Sequence, residues 1–154
     1  MKIVGFNLNK VSIDKKEEPK AKLEIKYNIH IDDIQKEEVK ASEKNYLRFS
    51  FTFSIDYLPN IANIEMKGTI VTVDVADESK EILKDWKKKK FEGAAKVGLF
   101  NLIMHKCNLK ALQLEDEMNL PLHVPLPKLG MQKPQEYNKE TSKEKDSNKP
   151  KYAG

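Results

Sequence analysis

The chain has 154 residues, enough for one domain that buries roughly two-thirds of its unfolded surface. Apolar residues make up 39 % and charged residues 34 %, at a formal net charge of only +4. Nearly all of its basic residues are lysines, with Arg48 the one arginine, which argues against nucleic-acid readout by bidentate guanidinium contacts. Cys107 is the sole cysteine, so an intrachain disulfide and a cysteine-based zinc cage are both excluded. There is no apolar run long enough to span a membrane. The opening Met1-Lys2-Ile3-Val4-Gly5-Phe6 turns polar without the continuous apolar segment of a signal peptide. A cytoplasmic protein is therefore expected.

The first half alternates with period two, the mark of strands with one buried face. Val4, Phe6 and Leu8 alternate with Gly5 and Asn7. The phase then slips before Val11 and Ile13, which implies a bulge or a change of face. The second strand sets Leu23, Ile25, Tyr27, Ile29 and Ile31 against Lys22, Glu24, Lys26, Asn28 and His30. The third sets Leu47, Phe49, Phe51, Phe53, Ile55 and Tyr57 against Arg48, Ser50, Thr52, Ser54 and Asp56. Pro59-Asn60 supplies a turn, and a fourth strand runs through Ile64, Met66, Gly68 and Ile70 to Val73. Short turns and clean alternation predict an antiparallel meander.

The period changes after the fourth strand. Asp77 is placed to cap a first helix, Glu78 and Glu81 suit its N-terminal dipole, and Ile82, Leu83 and Trp86 form one narrow apolar stripe. The lysines at 87–90 close it, and a second helix is predicted after Gly93 over residues 94–107. Its apolar residues, including Val97, Leu99, Phe100, Leu102, Ile103 and Met104, cover most of the circumference. Such a helix needs burial on two sides. The sheet supplies one and a second subunit the other, so a homo-oligomer is expected. The prolines of Leu120-Pro121-Leu122-His123-Val124-Pro125-Leu126-Pro127 forbid a helix and predict an extended segment. Residues 130–154 are almost all polar or charged and are expected to be disordered.

Catalytic and cofactor motifs are missing: no GxSxG, HExxH, Walker loop or GxGxxG occurs. His30, His105 and His123 lack ligand spacing, so no metal is assigned. His30 reads as a solvated residue on the polar face, and His105 as a cation near a helix C-terminus. Cys107 reads as a packing residue, since nothing near it in sequence looks like its base. Glu115-Asp116-Glu117 reads as a solvated loop. The four lysines at 87–90 raise a nucleic-acid or membrane-surface reading. No aromatic platform is interleaved with them, however, and a solvated helix end accounts for them better. What remains is surplus apolar surface, the means by which proteins hold extended peptides. No catalytic residue and no cofactor is expected.

The order of elements, four strands, two helices and a proline segment, resembles the SecB family of export chaperones. Lys10-Val11-Ser12-Ile13-Asp14 resembles that family's D-[IV]-S-F-E stretch. Glu65-Met66-Lys67-Gly68-Thr69-Ile70 resembles its E-x-x-x-G-[IL]-F, and Leu99-Phe100 its L-F-P-Y. Pro121-Leu122-His123-Val124-Pro125-Leu126 resembles its P-x-L-x-L-x-P-[IV]-N-F segment. The resemblance covers residues 1–129 and implies an α+β fold, a four-stranded antiparallel sheet with two C-terminal helices, followed by the Lys/Glu-rich tail. It further implies an ATP-independent holdase for unfolded polypeptide clients, working as a tetramer built as a dimer of dimers. The groove would be carried by Leu23, Ile25, Tyr27 and Ile29 with Leu122, Val124 and Leu126. The oligomer contact would fall on Leu99, Phe100, Leu102 and Ile103. Lys10 stands where the family has an acid, and acids on the sheet contact the SecA motor there, so chaperone activity is better supported than coupling to a translocase. The alternative is an adaptor holding one dedicated partner, such as a labile antitoxin-like protein, in the same groove.

Overall fold

The computed structural model describes residues 1–130, and the expected tail lies outside the described residues from 131 onward. Four strands come first: β1 (Lys2–Lys15), β2 (Glu24–Glu37), β3 (Asn45–Leu58) and β4 (Ala62–Asp74). Two helices follow, α1 (Ala76–Lys87) and α2 (Ala94–Glu117). This is the α+β architecture that the alternation and the change of period predict.

Every strand pair is antiparallel, but the order is β1-β4-β3-β2 and not that of a simple meander. Strands β2, β3 and β4 form consecutive hairpins, while β1 lies beside β4, a Greek-key arrangement. The turn where β1 ends fits this order. Lys16 and Glu17 both donate their backbone N–H to the Ile61 carbonyl, at 2.8 and 3.2 Å. The Lys16 ammonium reaches the Asn60 side chain at 3.0 Å. The chain leaving β1 is thus tied to the tip of the β3–β4 hairpin and must pass over it to reach β2. At that tip Asn60 takes a left-handed φ of 56°, which asparagine tolerates better than most residues.

The phase slip in β1 is a pair of bulges: the β1–β4 register shifts between Ile3 and Gly5 and again between Leu8 and Lys10. β2 carries a third, unforeseen, between Ile31 and Asp33. Asp32 is the extra residue, so Ile31 and Ile34 both turn inward and are buried.

The core lies between the sheet and the helices. Leu47, Phe49, Phe51, Phe53, Ile55 and Tyr57 of the central strand β3 are all essentially inaccessible. Each contributes about 1.5–3 kcal/mol by burial alone. Asp77 does not cap α1: the N-cap position is Val75, which makes no side-chain cap, and Asp77 stands within the first turn with Glu78. There its charge still favours the helix N-terminus.

α2 extends well beyond the predicted end at residue 107, to Glu117, for 24 residues. Residues 109–115, Leu-Lys-Ala-Leu-Gln-Leu-Glu, are strong helix formers, and the next proline is Pro121. Two readings are corrected by this extension. Glu115-Asp116-Glu117 is the last turn of α2 and not a loop. His105 sits in mid-helix, where it meets no C-terminal dipole. The inward stripe of α2 repeats every fourth residue, through Leu99, Ile103, Cys107, Ala111 and Glu115.

Candidate functional site

With β2 at one margin of the sheet, the row Leu23, Ile25, Tyr27 and Ile29 runs along a free edge. In register these residues face the covered side: Ile25 pairs with Tyr57, Tyr27 with Ile55 and Ile29 with Phe53. Their β3 partners are fully buried, yet Tyr27 is 56 % exposed. The helical layer therefore leaves the β2 rim of its own side of the sheet open. Leu23, Ile25 and Ile29 are half-buried, packed against the core from that rim.

Two hollows bracket the row. At the start of β2, Lys22, Leu23 and Glu24 with Leu58 and Pro59 line one of about 510 Å³. Toward the middle of the strand, Ile29 and Ile31 face Trp86, Phe91 and Phe100 across a second of about 810 Å³. From Leu23 to Ile31 an extended strand spans roughly 25 Å, the reach of about eight residues of extended peptide.

The proline segment joins this rim. The Tyr27 and His123 rings meet edge to face, with centroids 6.5 Å apart, so β2 and the 120–127 stretch come together at this rim. Leu122 is half-buried, while Val124 and Leu126 are exposed.

This segment is held by buried polar contacts that sequence reasoning missed. The Glu115 carboxylate, with no exposure, accepts the His123 backbone N–H at 2.9 Å and also pairs with the ring Nδ1 of His123. The other ring nitrogen, Nε2, lies 2.9 Å from the Asn108 side-chain oxygen. The Tyr57 hydroxyl donates to the Pro121 carbonyl at 2.8 Å. Burial, and then the neighbouring Glu115 charge, push the Tyr57 hydroxyl well above its ordinary pKa. A signal was present in the spacing of Glu115 and His123, eight residues apart, but only the extra helical turns reveal that the carboxylate points inward.

The four residues expected at an oligomer contact divide. Leu99 and Ile103 have no exposed surface in the single chain and belong to its own core. Phe100 and Leu102 are half-buried, and Phe100 lines the larger hollow. Val97 and Leu109 are the exposed large apolar side chains of α2. The lysine run, read as a solvated helix end, supplies Lys87 and Lys89 to the same hollow as Trp86 and Phe91.

Among the described residues no three His, Cys, Asp or Glu side chains converge as a metal site. No helix among them is long and apolar enough to cross a membrane. The Cys107 thiol is buried, and burial pushes its pKa up to about 11, so at neutral pH it carries almost no thiolate.

No protein-family model matches the sequence, and no curated protein matches it. A solved structure does: the Mycobacterium tuberculosis Rv1957 SecB-like chaperone, in complex with a ChAD peptide from the Rv1956 HigA1 antitoxin. The likeness covers 86 % of this chain and 92 % of that one, at 15 % identity and a TM-score of 0.52. The chain has the SecB-like fold. Residues of two of the resembling stretches meet across β1 and β4. Lys10 of the first stretch and Glu65 of the second, for instance, form a cross-strand ion pair at 2.8 Å on the outward side of the sheet. That pair holds the Glu65 carboxyl below its usual range.

Proposed function

We propose that this protein is an ATP-independent holdase that keeps unfolded polypeptides from aggregating by holding extended segments along the β2 rim. The observation that carries this reading is the open row Leu23, Ile25, Tyr27 and Ile29 on an edge strand, bracketed by two hollows. An edge strand offers unpaired backbone N–H and C=O groups that take any sequence, because every peptide carries the same complement. Apolar side chains of a client seat in the hollows, each adding about 1.5–3 kcal/mol where fully buried. Affinity thus comes from backbone pairing and loose apolar burial, which suits many clients and needs no nucleotide. The likeness in fold to a SecB-like chaperone solved with a bound peptide supports the reading.

The active form in this proposal is a cytoplasmic homo-oligomer, a tetramer arranged as a dimer of dimers. Phe100 and Leu102, with the exposed Val97 and Leu109 of α2, supply apolar surface for the contact. Coupling to an export motor forms no part of the proposal, since Lys10 stands where the SecB family has an acid.

A second reading is an adaptor that holds one dedicated partner in the same groove. It is favoured by the neighbour in fold having been solved with a peptide from a single antitoxin. The deciding experiment dilutes two unrelated, chemically unfolded proteins into buffer without nucleotide and follows light scattering with and without this chain. Suppression of both near stoichiometric ratio supports the holdase. Suppression of neither, by folded and oligomeric protein, overturns it in favour of the adaptor.

A further inference from the structure

The larger hollow joins an apolar floor to a rim with an excess of positive charge. Ile29, Ile31, Trp86, Phe91 and Phe100 supply the apolar surface, and the charged lining residues are Lys87, Lys89, Lys96 and Glu92. The Lys96 ammonium pairs with Glu92 at 2.8 Å and lies 5.6 Å from the Phe100 ring centre. Lys96 and Glu92 therefore cancel and close one side. Lys87 and Lys89 form no ion pair among the described residues, and Lys88 and Lys90 stand exposed beside them. The hollow thus presents uncompensated positive charge directly beside aromatic surface.

The geometry points to a charge preference in the segment it takes: an extended polypeptide stretch with an aromatic or large aliphatic residue flanked within a few positions by aspartate or glutamate. The inference rests on the peptide-holding reading of the same rim. An apolar side chain fills the hollow against Trp86, Phe91 and Phe100. Backbone on either side then passes Lys87 and Lys89, where a carboxylate is attracted and a client lysine repelled. Because both cations are at the surface, the attraction acts through water, is screened by salt and weighs on selection among clients and on association rate. The lysine run and the aromatic residues belong to one recognition surface. A bare polyanion satisfies only half of it, since Phe91 and Phe100 lie inside the hollow and offer no flat stacking platform outside it.

The test uses the full chain and short tryptophan-free peptides sharing one Leu-Phe-Val-Leu centre, flanked by glutamates, by lysines or by glutamines. Two further ligands complete the set: a glutamate-flanked peptide with a serine centre and a short single-stranded oligonucleotide. Trp86 is the only tryptophan and lines the hollow, so its fluorescence reports occupancy. At low salt the glutamate-flanked peptide is expected to bind about tenfold tighter than the lysine-flanked one, and the gap to close severalfold at high salt. The double variant Lys87→Glu/Lys89→Glu is expected to reverse the order of the glutamate- and lysine-flanked peptides. Equal binding whatever the flanks, or tighter binding of the lysine-flanked peptide, overturns the charge preference and leaves the peptide-holding reading standing. Failure of every apolar-centred peptide to bind folded protein overturns both. Equal binding of the serine-centred peptide or the oligonucleotide overturns the joint surface and makes the lysine run a simple polyanion site.

Discussion

Glu115 and His123 form a buried clamp between the last turn of α2 and the proline segment: one carboxylate accepts the backbone N–H of His123 and pairs with its ring. The His123 side chain is 1 % exposed and that of Glu115 not at all. Removing one partner strands the other without water. His123→Leu is therefore expected to destabilise the fold by about 3–5 kcal/mol, the usual cost of leaving one member of a buried pair unpaired. Glu115→Gln keeps an acceptor for the backbone N–H and is expected to cost about half as much. Urea denaturation measures both. Limited tryptic cleavage after Lys128 should accelerate in each variant if the clamp is what holds residues 120–127 in place. Unchanged stability and unchanged cleavage would show that the clamp holds nothing.

Gly68, within the stretch that resembles the E-x-x-x-G motif, owes its identity to a close approach. A Cβ there would lie 2.4 Å from the Asn7 carbonyl oxygen and 2.7 Å from the Phe51 ring. The Phe51 ring is itself stacked on Phe6 at 5.5 Å, so it has little room to retreat. Gly68→Ala is expected to cost about 1–3 kcal/mol, as overpacking does in dense cores. A chemical-denaturation midpoint no lower than that of the parent would refute this.

Tyr27 separates holding from folding. Its ring is largely exposed and its backbone sits on an edge strand, so Tyr27→Asp is expected to change stability by only about 1 kcal/mol or less. The same substitution places a charge in the middle of the open row. Aggregation suppression should then require severalfold more protein. If client holding is undiminished while a substitution on the polar side, such as Asn28→Asp, impairs it, the β2 rim is not the site.

The sequence made the faces of the strands legible, but not their neighbours. A two-residue period tells which way Phe49, Phe51 and Phe53 point, because it depends only on local geometry. That β1 lies against β4 rests on pairings between residues far apart in sequence, such as Phe6 with Ile70 and Ile13 with Ile64, and no local pattern encodes that. The proposed groove was half legible for the same reason. Leu23, Ile25, Tyr27 and Ile29 announce themselves by alternation. Lys87 and Lys89 are solvent-facing cations, as the sequence reads, but only the turn after α1 shows that they stand beside Trp86 and Phe91. The acidic run at 115–117 misled because carboxylates are rarely buried, and only the partner His123 makes the burial of Glu115 affordable.

Cys107 gives a prediction in pH. Its thiol is fully buried on the inward stripe of α2, and burial raises its pKa from an ordinary value near 9 to about 11. The folded state therefore holds the proton more tightly than the unfolded chain does. For a group raised in this sense, the stabilising contribution is complete below the unfolded value. It is lost as pH climbs from about 9 to about 11. The loss amounts to about 2–3 kcal/mol at most. Cys107→Ala removes this term at the cost of a small cavity. The variant should be less stable than the parent near neutrality, by about 1 kcal/mol or more. The gap should shrink as the pH is raised, because only the parent loses the thiol's contribution. Tyr57, also raised, and the lysines act on both proteins alike and cancel in the difference. Denaturation curves at stepped alkaline pH test this directly. Parallel stability profiles for the two proteins would mean that the thiol is not held neutral by the core.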